Sequence, residues 1–461
     1  MKYVSTRGGV EPVDFSDAVM MGLADDGGLL IPERLPDLSG RLGEWRELDY
    51  RALAEALVAE FVTDIDRSTL RALIDRSYGE QFPPDVAPVA AVGGLYVLEL
   101  FGGPTLAFKD MALQLLGNLF EHILTARGER MNILGATSGD TGSAAIAGAR
   151  GRDGIDIFVM HPHGRVSPIQ QRQMTAVLDA NVHNIAIEGS FDDCQRILKQ
   201  LFADLPFKRQ YKLGAVNSVN WARVLAQVVY YFHACFRVQE ITGARQVRFA
   251  VPTGNFGDIL AGYYARKMGL PISRLVLATN ENDILARFFN RGDYSLAEVH
   301  KTLSPSMDIQ VASNFERYLY DRLGCDPQRL SAVMQQFAET GAIRLPAGPE
   351  GVDPLFAAGS ADRAATLDAI GRYYREYGYV LDPHTAVGVH VAEQVGLAGD
   401  PMICLATAHP AKFPDAVREA TGDDQAARHG SIDALAELPT RCTTLANDPE
   451  AVRAFMVETL R

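Results

Sequence analysis

The sequence predicts an α/β protein of two open, mostly parallel-sheet lobes behind a helical N-terminal unit. Three observations predict it: helical apolar spacing before a proline-rich break, β-rich runs alternating with small-residue helices after it, and glycine-bearing turns at the ends of those runs. From Leu48 to about Gly79, Leu53, Leu57 and Phe61 and then Leu70, Leu73 and Ile74 recur at helical spacing, with Asp64 and Asp66 punctuating between the two sets. The segment Gln81 to Pro88 carries three prolines, which cannot continue a helix. Beyond it LYVLEL precedes FKDMALQLLGNLF, MNILGAT precedes GSAAIAGAR, and IDIFVMH precedes SPIQQRQMTAVL. A second series begins at VRFAVPT, runs through DILAGYYARKMGL and LVLATN, and ends at MICLATAH. This alternation is the pattern of strand–helix–strand units, and two lobes with a cleft between them are the most economical architecture. The expected boundaries are 1–80 for the helical unit, 81–245 and 246–430 for the two lobes, with a helical insertion at about 285–378 and a tail at 431–461.

At about 150 residues per domain, 461 residues suggest two to four domains. With 47% hydrophobic and 22% charged residues, and 41 glycines without a period, the chain is neither disordered nor fibrous. A net charge of -13 and the lack of a basic run with interleaved aromatics argue against a nucleic-acid partner. Five widely spaced cysteines without a CxxC pair suggest free thiols rather than a disulfide framework or a zinc site. The N-terminal MKYVSTRGGVEPVDF lacks the apolar core of a signal peptide, and no run of about 18 apolar residues occurs, so the expectation is a cytoplasmic protein without a membrane partner.

Three turns carry candidate chemistry. Gly135-Ala136-Thr137-Ser138-Gly139-Asp140-Thr141-Gly142 and Pro252-Thr253-Gly254-Asn255-Phe256-Gly257 each follow a strand and open a helix, where backbone amides meet an anion. Serine, threonine and aspartate before a helix are also ordinary N-caps, so either turn alone leaves both readings open. Neither is GxGxxG, and no GxxxxGK[ST] occurs, which disfavours a dinucleotide site and a P-loop. The third turn, Gly102-Gly103-Pro104-Thr105-Leu106-Ala107-Phe108-Lys109-Asp110, puts a lysine at a helix start, where the dipole disfavours a cation. A snorkelling surface lysine competes with a buried one of lowered pKa, the kind that Schiff-base chemistry requires. His161 and His163 lack a third ligand at metal spacing and read as loop histidines, so no metal is expected.

These motifs, with Ser5-Thr6-Arg7-Gly8, Leu23 to Leu29, Val216 to Asn220 followed by Arg223, Ser304 to Asp308, Ser313 to Arg317 and Ala406 to Phe413, resemble the threonine synthase family, of the fold-type II pyridoxal-phosphate enzymes, over nearly the whole chain. The resemblance implies a tryptophan synthase β-like fold, pyridoxal 5'-phosphate as cofactor and O-phosphohomoserine as substrate. It implies that Lys109 carries the cofactor and then serves as acid and base. Thr253, Gly254, Asn255, Phe256 and Gly257 would cradle its phosphate, Asp140 would stand beside its ring hydroxyl, and Thr407 would meet its pyridine nitrogen. Ser138, Gly139, Thr141 and Gly142 would hold the substrate carboxylate, and Asn217, Ser218 and Arg223 its phosphate. Two rivals remain at this level: a phospho-lyase releasing 2-oxobutyrate, and a non-catalytic binding relative, against which the intact Lys109, SGDTG and GNFG argue.

Overall fold

Apolar stretches such as Phe249–Val251 and Leu275–Ala278 need cover on both faces, and in the computed structural model of the chain, which describes residues 1–137 and 139–460, they lie in central parallel strands. The chain packs as two units, one of Met1–Phe108 with Ser218–Arg428, the other of Lys109–Asn217 with the segment from His429 onward.

In the first unit the six-stranded sheet runs in the order Phe356–Ser360, Ile272–Thr279, Val247–Pro252, Met402–Ala406, Leu95–Glu99, Val89–Val92. All neighbours are parallel except the last pair. That pair is joined through Gly93 and Gly94, both at positive φ, as a tight hairpin turn of this hand requires. Val247–Pro252 and Met402–Ala406 are neighbours, so the turn from Thr253 and the residue Thr407 leave the same end of the sheet side by side. Helix Pro383–Val395 packs on this sheet through Ala386, Val387, Val389 and Val391, against Val97, Ala250, Val276 and Cys404.

The N-terminal helices fall where apolar spacing put them. Tyr50–Val58 buries Leu53 and Leu57 and is capped by Asp49, and Arg67–Ser77 buries Leu70, Leu73 and Ile74 and is capped by Asp66. Asp64 instead accepts the amide of Ser16. The stretch expected to be a helical insertion does hold helices Ile284–Arg291, Phe315–Arg322, Pro327–Thr340 and Arg363–Tyr377. It also holds Phe356–Ser360, the edge strand of the main sheet, whose sequence FAAGS lacks the β-branched residues that announce a strand.

The second unit is a five-stranded, all-parallel sheet in the order Thr443–Leu445, Val182–Ile187, Ile155–Pro162, Met131–Ala136, Leu213–Gly214. Its outer strand comes from the C-terminal segment, and helix Pro449–Thr459 sends Val452 and Met456 into the same core as Leu134, Phe158 and Ile185.

Candidate active site

Lys109 is the first residue of helix Lys109–Arg127, and the chain reaches it through a segment held at every step. Leu106 takes φ 59°, a left-handed conformation that costs a non-glycine residue about 1 kcal/mol or more and persists only where neighbours enforce it. Here they do. The Leu106 carbonyl accepts the His409 amide at 3.0 Å, the Phe108 amide donates to the Thr407 carbonyl at 2.8 Å, and the buried Lys412 ammonium donates to the Thr105 carbonyl at 2.6 Å. The motif around His409 and Lys412 thus holds the segment Thr105 to Phe108 that precedes Lys109 in the chain, a role its sequence did not suggest. In the second unit, the Lys109 side chain is only 11% exposed and its Nζ lies 4.0 Å from Oδ2 of the buried Asp140. Gln170 donates to the other Asp140 oxygen at 2.9 Å.

Asp140 opens helix Asp140–Ala149. In the turn before it, the amides of Gly139 and Gly142 are directed to the Thr137 hydroxyl, at 3.1 and 3.0 Å, and Thr141 is half-buried. Ser138 lies outside the described residues. Glycine is needed at 142, because a Cβ there would stand 2.4 Å from Thr137, and a Cβ on Gly139 would stand 2.7 Å from the Gln170 amide and displace it.

In the first unit the turn Thr253 to Gly257 leads into helix Gly257–Lys267 with Phe256 at φ 64°. The Phe256 ring, stacked 5.8 Å from Phe289 and edge-on to Phe315, locks that strained residue in place. Asn314, a residue missed by the sequence reading although its motif was noted, joins two of the expected sites. Its side-chain amide donates to the carbonyls of Ser218, at 3.1 Å, and Asn255, at 3.3 Å. Arg317 in turn donates to Asn314 and to the Val219 carbonyl. Ser218 is half-buried, its hydroxyl 2.7 Å from that of Ser313, and Asn217, in the other unit, is half-buried too.

Arg223 lies near the start of helix Trp221–Thr242 and is buried, with no hydrogen-bond partner for Nε or Nη1 among the described residues. Burial pushes its guanidinium down to about 10, so it stays charged at neutral pH. One turn further along the same face, Gln227 lies 3.6 Å from where a Cβ on Gly257 would be, and Tyr230 and Tyr231 donate to Asp258 at 2.5 and 3.1 Å. Arg223 lies one turn before Gln227 on the same helix. A buried guanidinium with open donors is a place for an anion.

Asp258 itself carries a pH consequence. Burial pushes its carboxyl up from 3.8 to about 7, against the pull of the two tyrosine hydroxyls. Its folded value lies above the unfolded one, so its contribution to stability is full below about 4 and is lost as pH rises through 7. The Asp258→Asn protein should show a flatter dependence of denaturation midpoint on pH between 4 and 7 than wild type. An equally steep dependence would mean that Asp258 ionises as an ordinary carboxyl.

Thr407 is buried at the end of its strand, its amide donating to the Thr385 hydroxyl at 3.3 Å. His161 is buried with Nε2 3.7 Å from Cys442 Sγ, His163 is exposed, and no set of three His, Cys, Asp or Glu among the described residues could hold a metal. Among the described residues no helix is long and apolar enough to cross a membrane.

A sequestered lysine at a strained helix entry fits an aldehyde cofactor, and a glycine-bearing turn at a helix start fits a phosphate. With the fold, they define the class as a pyridoxal-phosphate-dependent enzyme, and residues 87–407 match the model of that family. Residues 2–78 match the threonine synthase N terminus and 385–456 the threonine synthase C-terminal model. Threonine synthase of Pseudomonas aeruginosa is 48% identical, over 99% of this chain and 98% of that one. The crystal structure of PLP-bound threonine synthase from Brucella melitensis superposes with a TM-score of 0.94 at 44% identity over 100% of both chains. The human threonine synthase-like 2 is 39% identical over 96% of this chain and 94% of its own. The chain belongs to the threonine synthase family.

Proposed function

We infer that this protein converts O-phospho-L-homoserine and water to L-threonine and phosphate. The observation that carries the reading is Lys109, held 4.0 Å from Asp140 at a helix entry laced to the 407–412 segment, in a chain whose full length aligns with threonine synthases. Pyridoxal phosphate, when bound, supplies the electron sink for negative charge developing at the substrate α-carbon. Lys109 would anchor the cofactor at rest and, once substrate frees its amine, move protons between Cα, Cβ and Nζ. Asp140 stands near enough to bias the charge on Lys109 and is the group assigned to the cofactor's ring hydroxyl.

Thr253 to Gly257 would receive the cofactor phosphate, and Thr407 the pyridine nitrogen. A neutral hydroxyl there, unlike a carboxylate, does not stabilise a protonated ring. The Gly139 to Gly142 turn, with Ser138, would take the substrate carboxylate. Because two of its amides are turned to Thr137, this requires the turn to re-aim its donors on binding. Asn217, Ser218 and Arg223 would take the substrate phosphate, supplying locally the positive charge that a chain of net charge -13 withholds. Free thiols at all five cysteines support a reducing, cytoplasmic setting.

Incubation of the holoenzyme with O-phosphohomoserine tests the reading. Threonine and inorganic phosphate should appear in equal amounts. Phosphate accompanied mainly by 2-oxobutyrate would assign the chain to phospho-lyase chemistry, and no phosphate at all would leave it a binding protein.

A further inference from the structure

The carboxylate of Asp382 is fully buried and takes four hydrogen bonds. Oδ1 accepts the amide and Nδ1 of His384, both at 2.9 Å, and Oδ2 accepts the amide of Thr385 at 3.2 Å together with its hydroxyl. The two amides are what any N-cap would bind at the start of helix Pro383–Val395. The two side-chain donors go beyond capping, because each passes the constraint to another segment. A carboxylate only accepts, so Nδ1 of His384 carries its proton and Nε2 is left as an acceptor. It receives the Ser306 amide at 3.3 Å. Likewise the Thr385 hydroxyl spends its proton on Asp382 and accepts the Thr407 amide at 3.3 Å.

The two recipients sit at the two ends of the expected cofactor site. The Ser306 carbonyl lies 2.7 Å from where a Cβ on Gly254 would be, so the segment Ser304 to Asp308 backs directly onto the phosphate turn. That segment is pinned from its other side by Asn280, which donates to Ser304 Oγ at 3.0 Å and to Asp308 at 2.8 Å. Thr407 bears the hydroxyl assigned to the ring nitrogen. We propose that Asp382, through His384 and Thr385, is a positioning residue that sets both ends of the cofactor site: the phosphate turn through Ser306 and the ring-nitrogen hydroxyl through Thr407. The proposal rests on the cofactor reading of Thr407 and Thr253 to Gly257 given above.

The two arms predict separable effects, readable in the holoenzyme by the ring's absorption spectrum and by the ³¹P resonance of the bound cofactor, its one phosphorus. Thr385→Val keeps the shape and the cap but removes the acceptor for Thr407. It should shift the absorption band and lower kcat about tenfold, the scale of a lost buried hydrogen bond, with the ³¹P resonance unmoved. Thr385→Ser, which restores the hydroxyl, should return both to wild type. His384→Leu should move the ³¹P resonance and raise the cofactor Kd about tenfold, leaving the absorption band in place. Wild-type spectra, Kd and kcat in Thr385→Val and His384→Leu, with only the melting temperature changed, would reduce Asp382 to a helix cap and overturn the proposal. So would equal shifts of both signals in both variants. Thr407→Val serves as the reference: an unchanged absorption band there would overturn the reading of Thr407 itself, whereas a changed band with a silent Thr385→Val would overturn the positioning role alone.

Discussion

Lys109→Ala should abolish turnover while leaving a folded protein. On the reading proposed above, two losses coincide in that substitution: the covalent anchor of the cofactor, and the acid–base group, which alone contributes on the order of 10² to 10⁴ in rate. A fall in kcat of at least about 10³ is therefore expected. Stability should not fall with it. A lysine on the first residue of the helix opposes the helix dipole, so removing the cation relieves that opposition. Borohydride reduction of the wild-type holoenzyme, followed by peptide mass analysis, should find the cofactor on Lys109, and the alanine protein should carry no covalent label. An alanine protein that kept most of its rate, or a label on another lysine, would remove the central assignment.

The sequence made the scaffold legible where one physical signal dominated. Strands buried on both faces read as mainly apolar runs, and the paired aspartates before helices read as punctuation; Asp66 does cap its helix. Short edge strands carried no such signal. Thr443–Leu445 is three residues long, and Phe356–Ser360 is alanine- and glycine-rich, so each owes its conformation to the strand beside it rather than to its own residues. The site divided in the same way. Lys109 stood out because its charge contradicts its position, but the Asp382 network did not, since D-P-H-T reads as a proline-led N-cap and is one. Its further bonds to Ser306 and Thr407 join residues far apart in the chain, which spacing along the sequence cannot reveal. Nor could sequence show that Thr137 holds the amides of Gly139 and Gly142.

Arg223 carries the second large effect, and its sign differs between function and stability. A guanidinium buried with open donors is costly in the empty protein, since its lost hydration is not replaced. Arg223→Met should therefore melt at a temperature equal to or above wild type in the absence of ligand. In the presence of the phosphate ester the balance reverses. Losing a charge-assisted pair to a dianion away from water costs on the order of 2–4 kcal/mol, or roughly 30-fold to 1000-fold in kcat/KM. Arg223→Lys should not rescue it. Lysine lacks the planar fork, and burial that pulls a guanidinium down to about 10 would drive an ammonium, starting about two pKa units lower, toward neutrality. The measurements are kcat/KM for O-phosphohomoserine, competitive inhibition by inorganic phosphate and cofactor Kd in wild type, Arg223→Lys and Arg223→Ala. Binding of the substrate phosphate predicts that the first two collapse and the third holds. Because Gln227, one turn on, abuts Gly257, the informative contrary result is a weakened cofactor Kd with phosphate inhibition intact, which would assign Arg223 to the cofactor's phosphate instead.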